Sequence, residues 1–207
     1  MDDALRVREF WFGPGTKSAP AELSRRRELW FGSETPELQA KQDAVIAAQF
    51  SDLVERAAKG SLASWADSPR RRLSLIILLD QFPRNLFRGQ ARAFAHDQQA
   101  LGLALSGMQS GADGALSALE RMFFYMPLQH SESLEVQDES VVAYRRLLDE
   151  APEEVNGVCQ GALESAQAHR EIIRRFGRFP GRNGALGRDT TAEERAYLEG
   201  GGATFGQ

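Results

Sequence analysis

Four polar residues fall where helical spacing would bury them. Asp80 completes an apolar stripe at 73, 76, 77 and 80, and Asp97 sits in the stripe 94, 97, 101, 105 and 108. Gln137 lies on 134, 137, 141, 144 and 148, and His169 on 162, 166, 169, 173 and 176. Steps of three and four residues put each on the core face of its helix. A buried carboxylate is costly unless it is paired. An aspartate beside a histidine or arginine has a perturbed pKa, which is what acid–base chemistry uses. Taken singly, each residue reads as well as a core polar group that ties helices by hydrogen bonds. Taken together with His130 and Glu132, they point equally to a shared functional cavity.

Three segments concentrate the remaining candidates. In LSLIILLDQFPRNLFR, residues 73–88, Asp80 is followed at once by Gln81, Pro83, Arg84 and Asn85. An acid, an amide and an arginine therefore leave one buried helix together. In FFYMPLQHSESLEVQ, residues 123–137, Pro127 breaks a helix and Ser131 can cap the next one. His130 and Glu132 would then lie at a helix N-terminus, where free N–H groups favour anions. Plain capping explains them as readily. The third segment is basic: Arg174, Arg175, Arg178, Arg182 and Arg188, with Asn183 among them and glycines at 177, 181, 184 and 187. The guanidinium fork matches phosphate or carboxylate. Alternatively these arginines pair with Asp80, Asp97 or Glu132 and anchor a long loop. The catalytic candidates are thus Asp80, His130 and His169. The ligand-binding candidates are Gln81, Arg84, Asn85, Asp97, Glu132, Gln137, Arg178, Arg182, Asn183 and Arg188.

Other chemistries find little support. GxxxxGK[ST], HExxH, GxSxG and CxxC are all absent. Three histidines and one cysteine argue against zinc, and the spacing of Asp80, Asp97 and Glu132 gives magnesium or manganese no specific support. No metal or cofactor is expected. The net charge of -4 gives no reason to expect nucleic acid. Cys159 is the single cysteine, so no intrachain disulfide is expected. The opening MDDALRVREFWFG lacks the apolar core of a signal peptide, and no run approaches the ~20 apolar residues of a membrane span. These features suggest a cytoplasmic protein, with 42% hydrophobic residues to fill a core.

The elements that must position these groups are helices. The run 73–79 is apolar all round, as a buried helix is. Ser68-Pro69 opens it, and Pro83 is expected to end it near Asp80 or Gln81. Before it, Asp2 to Phe12 reads as a short capped helix, residues 13 to 22 as a loop, and Leu29 to Phe31 as an apolar patch. Thr35-Pro36 opens a helix that Gly60 ends. After it, helices are expected from Phe94 to Met108, from Leu116 to Met126, from Leu134 to Leu148 and from Val155 to Phe176. Thr190 and Glu193 would form the capping box of a final helix. No stretch alternates with period two. The expected fold is all-α, a single helical domain over 1–207, arranged as a TPR-like αα array of eight or nine helices around the buried central helix.

The chain also resembles a known bacterial family, domain of unknown function 924. The matching blocks are FWFG at 10–13, LIILLDQFPRNLFR at 75–88, FAHDQQAL at 94–101, FFYMPLQHSESLEVQ at 123–137 and RRFGRFPGRNGALGR at 174–188. The resemblance implies a TPR-like helical fold and no established activity. It also implies a histidine before Arg182-Asn183, where this chain has Gly181, so that position is not expected to be essential.

Two functions follow from these residues. One is an internal polar pocket for a small anionic molecule, with Arg84, Arg178, Arg182 and Arg188 supplying charge and Asp80, Asp97, His130 and His169 orienting it or moving protons. The other is a TPR-like module whose concave face binds a peptide, the polar residues serving structure alone.

Overall fold

The structure is a computed structural model that describes residues 2–14, 20–32 and 35–205, the side chains of 20–25 excepted. Among the described residues the secondary structure is helical throughout, with no strand. The expected loop over 13–22 lies partly outside this description, at 15–19. From Pro20 the backbone is helical, not looped, because proline suits a first helical turn.

Helices α1 (Asp3–Phe12), α2 (Pro20–Phe31) and α3 (Pro36–Ala58) open the chain. Asp2 caps α1 and Thr35 caps α3 through their side chains. Helix α4 (Pro69–Ile76) then enters the core. Leu73, Ile76, Ile77 and Leu78 have no exposed surface, and the Ser74 hydroxyl donates to the Ala4 carbonyl at 2.8 Å.

Pro83 does not end this helix. The chain passes through a π-turn at Ile77–Gln81 and continues as α5 (Phe82–Leu86). Proline has no N–H, and its ring crowds the carbonyl four residues back. The wider turn bonds the Phe82 N–H to the Ile77 carbonyl and puts Pro83 in a new first turn. Aromatic side chains clamp the junction. Phe82 meets Phe10, Trp11 and Phe50 with ring centroids 4.9–6.1 Å apart.

The second half comprises α6 (Asp97–Gln109), α7 (Ala118–Phe124), α8 (Met126–Gln129), α9 (Leu134–Asp149), α10 (Glu153–Phe176) and α11 (Ala192–Glu199). Three expected boundaries move. Helix α6 begins at Asp97, after a separate 3-10 turn at Ala91–Phe94, so Asp97 occupies a first turn and not a mid-helix stripe. Ser133, not Ser131, caps α9 by accepting from Val136 N–H. The final capping box is Thr191 with Glu194, one residue later than the sequence suggests. In the last two cases a neighbouring residue of equal capping ability wins once its backbone is extended.

Helices α6 and α7 meet closely at Gly107. A Cβ there would lie 2.4 Å from Phe124 Cζ and 3.0 Å from Arg72 Cδ, and Phe124 is fully buried. Gly107→Ala is therefore expected to destabilise the fold by about 1–3 kcal/mol through overpacking. Chemical denaturation checks it, and an unchanged midpoint would mean that α6 and α7 are not in this contact.

Candidate functional site

The π-turn delivers Asp80 to the interior with 0% exposure. Every partner of its carboxylate is local or comes from the connector after α8. Asp80 Oδ1 lies 2.7 Å from His130 Nδ1 and 3.4 Å from Arg84 Nη1, and Gln81 Nε2 donates to Oδ2 at 2.5 Å. Burial alone would raise this carboxyl. His130 and Arg84 more than offset it and hold Asp80 well below the usual carboxylate range. A carboxylate only accepts, so His130 carries its proton on Nδ1 and leaves Nε2 bare. Burial and then Arg84 keep the imidazole pKa below its ordinary value, so His130 is neutral.

Arg84 connects this pair to α6. Its Nη1 donates to the Asp80 carbonyl at 2.5 Å, and Nη1 and Nη2 take the two oxygens of Asp97 at 2.9 Å each. Arg182 reaches Asp97 Oδ2 at 3.4 Å from the C-terminal loop and lies over the rings of Phe94 and Phe179. Burial, and then Arg84 nearby, pull Arg182 down to about 10. Asp97 thus bridges two arginines that would otherwise repel.

His169 approaches His130 from α10, with ring centroids 6.2 Å apart. Its Nδ1–H donates to the Ser165 carbonyl at 2.8 Å, and its Nε2 is buried without a partner. Phe205 stacks on the ring at 3.5 Å. Burial, reinforced by His130, lowers His169 to about 3. The tail carrying Phe205 passes Gly181, where an added Cβ would meet Thr204 at 3.3 Å. The glycine standing where the family resemblance implies histidine therefore leaves room for this tail.

A cavity of about 360 Å³ opens beside these groups. Gln81, Arg84, Asn85, His130 and His169 line it, joined by Arg88, Gln129, Ser165, Phe94 and Phe205. Among the described lining residues the ionised side chains are Arg84 and Arg88. Asp43 holds Arg88 at 3.2 Å and Asn85 at 2.9 Å. The acids Asp80, Asp97 and Asp43 stand behind the wall.

The other candidates lie elsewhere. Gln137 is fully buried, and its Nε2 donates to the carbonyls of Leu128, Gln129 and Ser131, which clamps the connector that carries His130. Glu132 accepts from Arg188 at 2.7 and 3.1 Å and from Phe179 N–H at 2.8 Å. Burial raises the Glu132 carboxyl, and Arg188 and the Phe179 amide outweigh it, so its pKa falls. Arg188 also bonds Asn183, and Arg178 bonds Glu194. The Glu132–Arg188 pair pins the arginine loop against the connector, Arg178 and Asn183 tie that loop to α11, and none of the four lines the cavity. Sequence reasoning missed Asp43, Arg88, Gln129, Ser165 and Phe205, and it placed Phe94 on the stripe of Asp97 as a core residue only. Gln129 adjoins His130, but nothing in the spacing marks Asp43, Arg88, Ser165 or Phe205.

A family model described as "Bacterial protein of unknown function (DUF924)" matches residues 7–202. The chain belongs to the DUF924 family. A solved structure, that of the protein of unknown function ATU0120 from Agrobacterium tumefaciens, is 34% identical, covering 95% of this chain and 97% of that one with a TM-score of 0.78. No curated protein matches the chain. Among the described residues no helix is long and apolar enough to cross a membrane, and no three His, Cys, Asp or Glu side chains are grouped to hold a metal.

The buried imidazoles of this DUF924 protein set a pH dependence. His169 is protonated in the unfolded chain below about 6.5 but in the folded chain only near 3, so the unfolded state binds more protons in between. Stability is expected to fall as pH drops from about 6.5 towards 3, by up to about 1.4 kcal/mol per pH unit from this residue. His169→Leu should flatten the pH profile of unfolding by that slope. An unaltered slope would mean that the ring is already solvated.

Proposed function

We propose that the cavity binds a small anionic molecule and that His130 acts on it, or on a water beside it, as a general base. The carrying observation is the make-up of the wall. A neutral imidazole stands beside two arginines, and the balancing carboxylates sit behind them. An anion there meets guanidinium and amide donors without facing an acid. Arg84 Nε is a buried donor still lacking a partner.

Asp80 suits the base role in two ways. It fixes the tautomer and orientation of His130, and it would stabilise the imidazolium formed when Nε2 accepts a proton. The depressed pKa keeps His130 ready to accept at neutral pH. Arg178, Arg182, Asn183 and Arg188 would support the site by holding the loop. The alternative TPR-like peptide module would call for these groups to be spread along an open concave face. The convergence of Gln81, Arg84, Asn85, His130 and His169 on one cavity favours the small ligand.

Thermal shift with small carboxylates and phosphate tests the reading, with neutral amides as controls. Anions should raise Tm, since ligand at 100 times Kd adds about 2.7 kcal/mol. Arg88→Gln should weaken that affinity about tenfold while circular dichroism stays unchanged. Equal stabilisation by neutral amides, or an Arg88→Gln response equal to wild type, would overturn it.

A further inference from the structure

Met126 stands between the cavity beside His130 and a neighbouring one. This second cavity measures about 230 Å³, and Phe31, Met126, Gln129 and Ser165 form walls of both. The two ends differ in chemistry. The first presents imidazole, guanidinium and amide groups. The second is faced by Met122, Val158 and Ala162 and by the bare backbone of α10 at Gly157 and Gly161, with the exposed Arg27 as its one charged wall residue. The shared Ser165 hydroxyl is turned to Gln129 Oε1 at 3.0 Å.

The glycines of α10 carry the inference further. Glycine inside a helix costs about 1 kcal/mol relative to alanine, and close packing of another element is the usual compensation. Here a Cβ added at Gly157 or Gly161 meets nothing within 4 Å. The bare strip on α10 is therefore not occupied by a neighbouring helix among the described residues. It faces the second cavity, which shares the walls Phe31, Met126, Gln129 and Ser165 with the polar one. Met126, at the junction, is unbranched and adaptable. Phe31, on the wall common to both, is an aromatic ring 58% exposed.

We propose that the two cavities form one bipartite site for an amphiphilic anion. Its charged head would lie against Arg84, Arg88 and His130. An unbranched apolar chain would run past Met126 and along α10 at Gly157 and Gly161. The head-group half of this inference rests on the small-anion reading above; the chain half is independent of it. Gly157 and Gly161 then act as specificity residues that set the chain length admitted.

A calorimetric series of straight-chain monocarboxylates, from acetate to dodecanoate below micellar concentration, tests it. Wild-type affinity should rise about fourfold per methylene and level off once the second cavity is full. Gly161→Leu fills that cavity and suits a helix better than glycine, so the fold should persist. It should abolish the gain for the longer chains and leave acetate and butyrate unchanged, and Gly157→Leu should do the same. If short anions bind but lengthening adds nothing in wild type, the bipartite site is wrong and the anion site stands. If the gain survives in both leucine variants, the chain lies elsewhere and the proposal fails. If no anion of any length binds, both readings fall.

Discussion

A carboxylate without access to water is the constraint on which the interior depends. Asp80 ends the apolar run 73–79, and its charge survives there only because partners surround it. Gln81 and Arg84 come from the same helical run, and His130 comes from the connector after α8. One of these partners then makes its own demand. Arg84 is itself buried and takes Asp97 in a two-pronged pair, and Asp97 in turn receives Arg182. Charge compensation thus links the central helix, α6 and the C-terminal loop in a single chain of ion pairs.

That chain explains why a glycine-rich arginine loop lies ordered on the cluster. Arg182 enters between apolar rings and meets Asp97, while Arg188 and Phe179 tie the loop to Glu132. Phe205 then closes over His169. His130 and His169 end up neutral for related reasons. Both are desolvated, and each Nδ1–H has an acceptor, a carboxylate for one and a carbonyl for the other. The result is two imidazoles with bare Nε2 atoms in a site whose fixed charges are already balanced.

Much of the framework was legible in the chain. The apolar run at 73–79 had to be buried, and the acid after it had to be paired. Thr35 and Pro36 marked a helix start by their own capping chemistry, and Asp2 or Asp3 marked another, of which Asp2 is the cap. The polar stripes led to Asp80, Gln137 and His169, all buried in the structure. Their roles diverged, however. Gln137 spends its amide on three carbonyls of one turn, and periodicity cannot separate such a clamp from a ligand-binding group. Pro83 misled for a similar reason. A proline forbids one hydrogen-bond pattern, and the helix kept its course by adopting another.

By itself, then, the sequence determined an all-helical chain, the positions of most caps, and an acid, a histidine and arginines that had to find one another. Those outcomes follow from local periodicity, proline chemistry and the cost of an unpaired buried charge. Only the tertiary structure decided the partners. Arg84, Arg178, Arg182 and Arg188 are equivalent as letters, yet they select Asp80 with Asp97, Glu194, Asp97 and Glu132 respectively. Ion pairs form by proximity in space, which helical spacing does not encode beyond a few turns. The cavities were decided there as well. They are gaps between helices remote in sequence, bounded by residues such as Arg88, Phe94, Gly161 and Phe205 that no common motif unites.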